Sequence, residues 1–283
     1  MADTSSTSAI DRVAGGWRKV GRYALLLVVA FIVLFPIYVT VVAALKPGNK
    51  VLENPLVPGP FTLDVLRDAW TEGRLGRYLL NSTVVALVVL VAQMVTSVLS
   101  AYAFAFLRFP FKNFLFAIFL ATLLVPLEVT LVVNRRTVDS LGWLNTYQGL
   151  AAPFLATALG TFLLRQVFLQ IPKDLREAAE MDGLGHLGFL REVAVPLVRP
   201  TLGALGFLTF LSTWYQYLWP RLIVDEEEMN TVQSGLKLLS SADLDKPNLV
   251  LAGAIIASLP IVLVLLLFQR QLVRGLTAGA VKG

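Results

Sequence analysis

Long apolar runs without charge alternate with short polar segments along the chain. Most runs approach about twenty residues, the length that an α-helix needs to cross the hydrocarbon core of a bilayer. Backbone groups in lipid must find their hydrogen bonds within their own segment, so each run predicts a helix. We expect six membrane spans, at about residues 23–45, 79–106, 114–134, 147–168, 200–220 and 249–269.

The spans divide the chain into three parts and predict an all-α membrane protein. A polar, basic arm of residues 1–22 comes first, the six-span domain fills residues 23–270, and a small-residue tail covers residues 271–283. The first apolar run is too long for a cleavable signal peptide, so we expect it to remain as a span. Pro126 predicts a kink within the third span.

The composition supports this class and excludes several kinds of chemistry. Hydrophobic residues make up 56% of the 283 residues, charged residues make up 15%, and cysteine is absent. Disulfides, a thiolate nucleophile and cysteine-based metal sites are therefore excluded. The single histidine, His186, has no companion histidine or cysteine to form a ligand set. We therefore expect no catalytic residue and no metal site, so that the chain is not an enzyme.

The distribution of Lys and Arg predicts the orientation of the spans. If the N-terminus is cytoplasmic, more than half of the basic residues fall on the cytoplasmic side, and most acidic residues fall outside. This asymmetry is typical of inner or plasma membrane proteins and explains the net charge of +5 without nucleic-acid binding. We expect both termini and the segment 170–197 to be cytoplasmic.

Segment 170–197 is the longest polar stretch between two spans on that side. Pro172 suits a helix start, and the residues from Glu177 to Met181 favour a helix that Gly183 ends. A second short helix is predicted at 187–195. Two interpretations remain open on these grounds alone: a docking element for a soluble protein, in which the adjacent small alanines sit in a partner's groove, or an amphipathic loop on the membrane surface.

Glu177-Ala178-Ala179, followed by Asp182-Gly183 and then Pro196, resembles the EAA motif of permeases of ATP-binding-cassette (ABC) importers. The segment 269–283 is similar to the end of the carbohydrate-uptake branch of that family. One departure is Leu184, at a position where alanine is usual. The resemblance implies a six-span, type I importer permease fold and assigns ATPase coupling to Glu177, Ala178, Ala179, Asp182, Gly183 and Pro196.

The resemblance also implies partners. These are a second six-span permease, two copies of a cytoplasmic P-loop ATPase and an extracytoplasmic substrate-binding protein. ATP and Mg²⁺ would bind to the ATPase subunits, with no cofactor in this chain. The chain lacks a G-x-x-x-x-G-K-[ST] loop. Its one G-x-G-x-x-G pattern, residues 183–188, follows a predicted helix instead of a strand, so it does not indicate nucleotide binding.

Candidate pathway residues lie in the third and fifth spans. Glu128 is an acid within a predicted span, which favours a functional role, although a structural acid bonded to a neighbouring helix is an equal alternative. Trp214, Tyr215 and Gln216 offer rings and an amide that suit a polyol or a sugar. The sequence around these residues is similar to permeases of the sn-glycerol-3-phosphate uptake type. Trp219 fits an interfacial aromatic belt.

Several functions remain to be separated. The preferred substrate is sn-glycerol-3-phosphate or a glycerophosphodiester such as glycerophosphocholine, and the alternative is a di- or oligosaccharide such as trehalose or maltose. Arg135 and Arg136 could meet a phosphate, but we favour a role as membrane anchors. An ion-coupled secondary transporter would be expected to show several ionisable groups within its spans, and Glu128 is the only clear one.

Overall fold

The computed structural model describes residues 5–47, 56–57, 59, 61–242 and 247–277. All regular secondary structure among these residues is helical, and none of them forms a strand. The end of the predicted tail, residues 278–283, lies outside the described part, as do residues 1–4 of the predicted arm.

The helices follow one another in a simple order. The first seven are α1 (Ser5–Ala44), α2 (Asp64–Thr71), α3 (Leu75–Phe106), α4 (Lys112–Ala121), α5 (Leu127–Ser140), α6 (Tyr147–Ala151) and α7 (Ala158–Phe168). The next seven are α8 (Lys173–Met181), α9 (His186–Phe189), α10 (Val195–Leu197), α11 (Arg199–Trp214), α12 (Leu218–Ile223), α13 (Val232–Ala242) and α14 (Pro247–Thr277). The bundle has two ends, which we call the α2 end and the α8 end.

Three helical stretches are long and apolar enough to cross a membrane alone: Lys19–Ala44, Leu75–Phe106 and Asn248–Gln271. Three bent pairs supply the rest if each pair is counted as one span, which gives up to six in the described chain. The pairs are Lys112–Leu124 with Glu128–Ser140, Tyr147–Phe154 with Ala158–Phe168, and His186–Leu197 with Arg199–Trp214, bent by 100°, 45° and 79°.

The third predicted span is broken instead of merely kinked. A 3₁₀ turn at Thr122–Leu124 ends the first half, and Pro126 precedes α5 with an extended backbone. Proline disfavours helical geometry in the residue before it and cannot donate a backbone hydrogen bond. The predicted fifth span is also interrupted, because α11 ends at Trp214 and α12 begins at Leu218. These two breaks create the cavity described below.

Buried side chains form three clusters. At the α2 end, one cluster joins α2, α3, α11, α13 and α14 around Trp214 and Tyr78. A second lies at the same end around Trp219 and Val89. The third lies at the α8 end, where Phe168 and Phe189 pack beneath α8. By contrast, α1 is exposed along nearly all of its apolar length, and only its last residues before Ala44 are buried.

A polar network secures the middle of the bundle. Gln93 of α3 donates its Nε2 hydrogen to the carbonyl of Phe154 at 2.7 Å and accepts a hydrogen bond from Thr209 at 3.0 Å. Ser100 and Thr161 join α3 to α7 at 2.6 Å. Polar groups in an apolar surrounding require such bonds, and these fix α3 against α7 and α11.

Candidate functional site

The α8 helix has well-formed start and stop signals. Pro172 precedes its first residue, and Asp174 places a carboxylate in the first turn, where the helix dipole favours it. At the other end, Gly183 has a φ of +78°, a conformation that side chains with a Cβ disfavour. Gly183 N donates to the Glu180 carbonyl at 3.1 Å, and Leu184 N donates to the Ala179 carbonyl at 2.9 Å. This pair of bonds is a Schellman motif, which ends the helix sharply.

The two alanines of α8 face different surroundings. Ala179 is 4% exposed and packs among Phe168, Phe189 and Tyr102 of its own chain. Ala178 is exposed together with Glu177 and Met181. The expectation that both methyl groups enter a partner's groove is therefore wrong for Ala179. One face of α8 is anchored internally, and the opposite face is free to meet another protein.

Cations from other helices cap the last carbonyl groups of α3. Lys112 Nζ donates to the carbonyls of Ala105 and Leu107 at 3.3 and 2.9 Å. Arg165 of α7 donates its Nε hydrogen to the Phe104 carbonyl at 3.1 Å. The final carbonyls of a helix have no partner within that helix and carry partial negative charge, so these contacts stabilise the end of α3.

Arg176 of α8 completes this cap and joins it to α8. Its Nη1 donates to the Phe106 carbonyl at 3.4 Å, and its guanidinium carbon lies 5.9 Å from the centre of the Phe106 ring. Its Nε donates to the Glu180 carboxylate at 2.9 Å, one helical turn away. The charge of Arg176 thus ties α8 to the end of a membrane-spanning helix.

His186 forms a second link between the loop and α3. Its Nδ1 lies 3.0 Å from the hydroxyl of Tyr102, and the two rings meet edge to face. The glycine pattern 183–188 lies in the turn between α8 and α9, with a helix on each side and no strand. The geometry assigns His186 a contact role within the loop and gives the glycines no phosphate-binding context.

The chain returns towards the bundle through a distorted helical segment. A π-helical turn at Leu190–Ala194 separates α9 from α10. The predicted helix at 187–195 is thus present, as part of a continuous helical stretch from His186 to Leu197 that contains this π turn. Pro196 lies half-buried in α10, and the chain then bends by 79° into α11. Pro196 thereby occupies the junction between the polar loop and the fifth span.

A polar cleft of about 790 Å³ lies beside α8. It is lined by Phe106, Leu107, Arg108, Lys173, Arg176, Glu177, Glu180 and His186. Side chains of both charge signs, basic and acidic, converge there. Such a cleft suits a partner protein whose surface also carries both kinds of charge.

A second cavity, of about 250 Å³, lies where the two broken spans meet. Its lining brings together Glu128, Tyr215 and Gln216 with Leu131, Tyr217, Leu218 and Trp219. Glu128 occupies the first turn of α5, and its side chain is exposed. Among the described residues no ion pair neutralises its carboxylate. The carboxylate and the Gln216 amide are therefore available to a polar solute.

Trp214 does not belong to this cavity, although the sequence predicted a pathway role. It is 1% exposed, donates its Nε1 hydrogen to the Ala257 carbonyl at 3.2 Å and stacks on Phe210. The placement of Trp219 in an interfacial belt was also wrong, because this residue is buried and donates to the Gly149 carbonyl at 3.1 Å. Each indole fixes helix packing.

Tyr217 and Leu131 line the cavity but were missed in the sequence. Tyr217 could have been found from its position between Gln216 and Pro220, where the apolar run contains several polar groups. Arg135, considered for phosphate binding, donates its Nε hydrogen to the Leu222 carbonyl at 2.7 Å. This bond joins α5 to α12 and agrees with the favoured role as an anchor.

Comparison with known proteins identifies the family. The family model described as "Binding-protein-dependent transport system inner membrane component" matches residues 93–278. The sn-glycerol-3-phosphate transport system permease protein UgpE of Pectobacterium atrosepticum is 39% identical over 264 residues, covering 90% of this chain and 94% of the relative. The proteins of the same name from Brucella abortus and Agrobacterium fabrum are 38% and 39% identical, covering 90% and 91% of this chain and 94% and 95% of the relatives.

A solved structure agrees in fold. A bacterial ABC transporter involved in the import of the acidic polysaccharide alginate superposes with a TM-score of 0.77 at 23% identity, covering 95% of this chain and 99% of that chain. The predictions of an all-α importer permease fold and of the permease family are thus confirmed. The chain belongs to the family of binding-protein-dependent transport system inner membrane components, the membrane-embedded permease subunits of ABC importers.

Proposed function

We propose that this chain forms half of the pathway of an ATP-driven importer for sn-glycerol-3-phosphate or glycerophosphodiesters such as glycerophosphocholine. The main support for this substrate is the similarity, over 90% of the chain, to relatives named for sn-glycerol-3-phosphate transport. A second six-span permease supplies the other half. A substrate-binding protein delivers the solute from outside.

Two copies of a P-loop ATPase bind ATP and Mg²⁺ and drive the cycle from the cytoplasmic side. In this proposal the α8 end faces the cytoplasm together with both termini, which is supported by the excess of basic residues in the corresponding loops. The exposed face of α8, with Glu177 and Ala178, docks on the ATPase. Asp182, Gly183 and Pro196 shape the turn and the return into the fifth span.

Force passes from α8 to the membrane through its internal contacts. Ala179 packs on the cluster around Phe168, and Arg176 bonds the end of α3. A docked helix held in this way moves as a rigid body with its neighbours. Closure of the ATPase dimer would therefore move α3 and α11 relative to the second permease and alternate the access of the pathway.

The cavity around Glu128 gives the pathway its polar contacts. Glu128 and Gln216 can bond the hydroxyl groups of a glycerol unit, while Tyr215 and Tyr217 pack against its carbon atoms. The described lining includes no Lys or Arg. A cation for the phosphate would come from the second permease, since Arg135 is bonded to Leu222.

The alternative substrate is a di- or oligosaccharide such as trehalose or maltose, which the aromatic rings and the amide of the same cavity also suit. Family membership removes the ion-coupled secondary transporter from consideration. The substrate is tested by ATPase stimulation in the reconstituted complex with its binding protein. We expect stimulation by sn-glycerol-3-phosphate or glycerophosphocholine, and stimulation only by trehalose or maltose would overturn the substrate assignment.

A further inference from the structure

A long apolar groove runs along the outside of the bundle between α3, α11 and α14. Its volume is about 750 Å³, and its walls include Leu90, Met94, Gly206, Phe210 and Phe268. The groove follows α3 from Leu87 to Leu99, which corresponds to about 18 Å of helix. This is slightly more than half of a hydrocarbon core about 30 Å thick, so the groove has the length of one leaflet.

The groove opens at the α8 end into a second, basic cavity. This cavity has a volume of about 390 Å³ and shares Gly203 and Phe268 with the groove. Arg199, from the start of α11, and Arg270, from α14, line it with exposed side chains. No carboxylate pairs with either guanidinium in the described part of the chain. Two cations held at one opening favour an anion there.

Gln271 adds an independent requirement at the same place. Its side chain lines the basic cavity, and its Oε1 atom is buried with no hydrogen-bond donor among the described residues. An unsatisfied buried acceptor is costly, so a ligand that brings a hydroxyl or ammonium hydrogen would stabilise the site. Gly203 allows α11 and α14 to approach each other closely at this opening. A Cβ at position 203 would lie only 2.8 Å from the Cβ of Gln271.

We propose that the groove and its basic end bind one anionic phospholipid. One acyl chain lies along Met94 and Phe210, the phosphate lies between Arg199 and Arg270, and a headgroup hydroxyl donates to Gln271 Oε1. Phosphatidylglycerol combines the negative charge with such hydroxyl groups and is the chemistry that fits best.

A protein helix in the groove is the competing occupant. In a second copy of this chain, the exposed apolar helix is α1, which carries Lys19 and Arg22 before its apolar stretch. That helix would place its cations beside Arg199 and Arg270 if it lay in the groove in the orientation of the bundle. Like charges in close proximity repel, so the charge at the opening favours a lipid over this helix.

The site can be tested in the intact transporter complex. The complex is placed in phosphatidylcholine nanodiscs that carry a minor fraction of phosphatidylglycerol with a photoactivatable acyl chain, and labelled peptides are mapped by mass spectrometry. We expect labelling concentrated on the groove walls, with lower labelling on the exposed face of α1, which serves as the reference for ordinary annular lipid. Uniform labelling of both surfaces, or exclusion of lipid from the groove by the second permease, would overturn the proposal.

Variants separate the headgroup from the acyl chain. The double variant R199Q/R270Q should lower the apparent affinity for phosphatidylglycerol by about thirty-fold, since each surface cation contributes a factor of about five. Val95→Trp should block the groove and reduce labelling while both arginines remain. Arg22→Gln removes an exposed cation of α1 at the same end and should leave the groove labelling unchanged. Retained labelling in both test variants would contradict the site.

Discussion

Arg176 bonds the carbonyl of Phe106 at 3.4 Å, so α8 and the last turn of α3 share one guanidinium. The same group pairs with Glu180 within α8. The contact between α8 and α3 therefore includes a hydrogen bond from a charged group in addition to apolar packing. Lys112 and Arg165 bond the neighbouring carbonyls of Ala105 and Phe104 and hold this end of α3 in place.

Replacing Arg176 by glutamine should weaken coupling more than assembly. The substitution removes a charge-assisted bond worth about 1.5 kcal/mol, so we expect transport per ATP hydrolysed to fall roughly tenfold. The ratio of uptake to ATP hydrolysis in proteoliposomes measures this. Arg191→Gln, an exposed arginine of the same loop, is the matched control and should keep the wild-type ratio. An unchanged ratio in the Arg176 variant would show that the bond carries no force.

Gly183 should be required for its backbone conformation alone. Open space surrounds its Cα, so a side chain would meet no clash, but its φ is +78°. Gly183→Pro fixes φ near −65° and should abolish uptake, whereas Gly183→Asn, which tolerates the left-handed region, should retain most of it. Gly185 has a φ of −74° and also has open space. Gly185→Ala should therefore behave as the wild type. If Gly185→Ala lost as much uptake as Gly183→Pro, the conformational explanation would be contradicted.

Glu177 should be essential for docking and dispensable for folding. Its carboxylate is exposed on the free face of α8, so Glu177→Lys places a cation where an acid is expected to meet the ATPase. We expect uptake to be abolished while the amount of permease in the membrane stays near the wild-type level. Immunoblotting of membranes and uptake by the same cells measure the two effects. Glu192→Lys reverses another exposed acid of the loop and should be much milder.

Trp214 and Gln216 should fail in different ways, although they are close in sequence. Trp214→Ala opens a void in a buried cluster and should cost about 3 to 5 kcal/mol of stability, seen as a lower thermal unfolding temperature and a lower membrane level. Gln216→Ala should leave both nearly unchanged and reduce substrate-stimulated ATPase activity. Loss of stability in the Gln216 variant, with intact stimulation, would place Gln216 outside the pathway.

The sequence predicts those features that depend on local physics. Charge-free runs predict the helices because the backbone groups of each segment in lipid must find their hydrogen bonds within that segment. Gly183 predicts the end of α8 because the left-handed conformation is a property of a single residue. Pro126 predicts where the third span is distorted for the same kind of reason, although the structure shows a break where a kink was expected.

Features that depend on packing between distant segments were not predicted. The buried Trp214 indole bonds the carbonyl of Ala257, and the buried Trp219 indole bonds the carbonyl of Gly149. Neither partner is near in sequence. The cap on α3 likewise needs cations from three other segments. Periodicity cannot indicate which of two neighbouring aromatic residues faces a cavity when the helix ends between them, as α11 does at Trp214.

Uptake into proteoliposomes tests the central claim most directly. The complete complex is reconstituted with its binding protein outside and ATP with Mg²⁺ on the ATPase side, and accumulation of labelled sn-glycerol-3-phosphate and glycerophosphocholine is followed. We predict accumulation of at least one of them that requires both ATP and the binding protein and that Glu177→Lys abolishes. Accumulation without ATP, or accumulation of maltose or trehalose but of neither glycerol compound, would contradict the account.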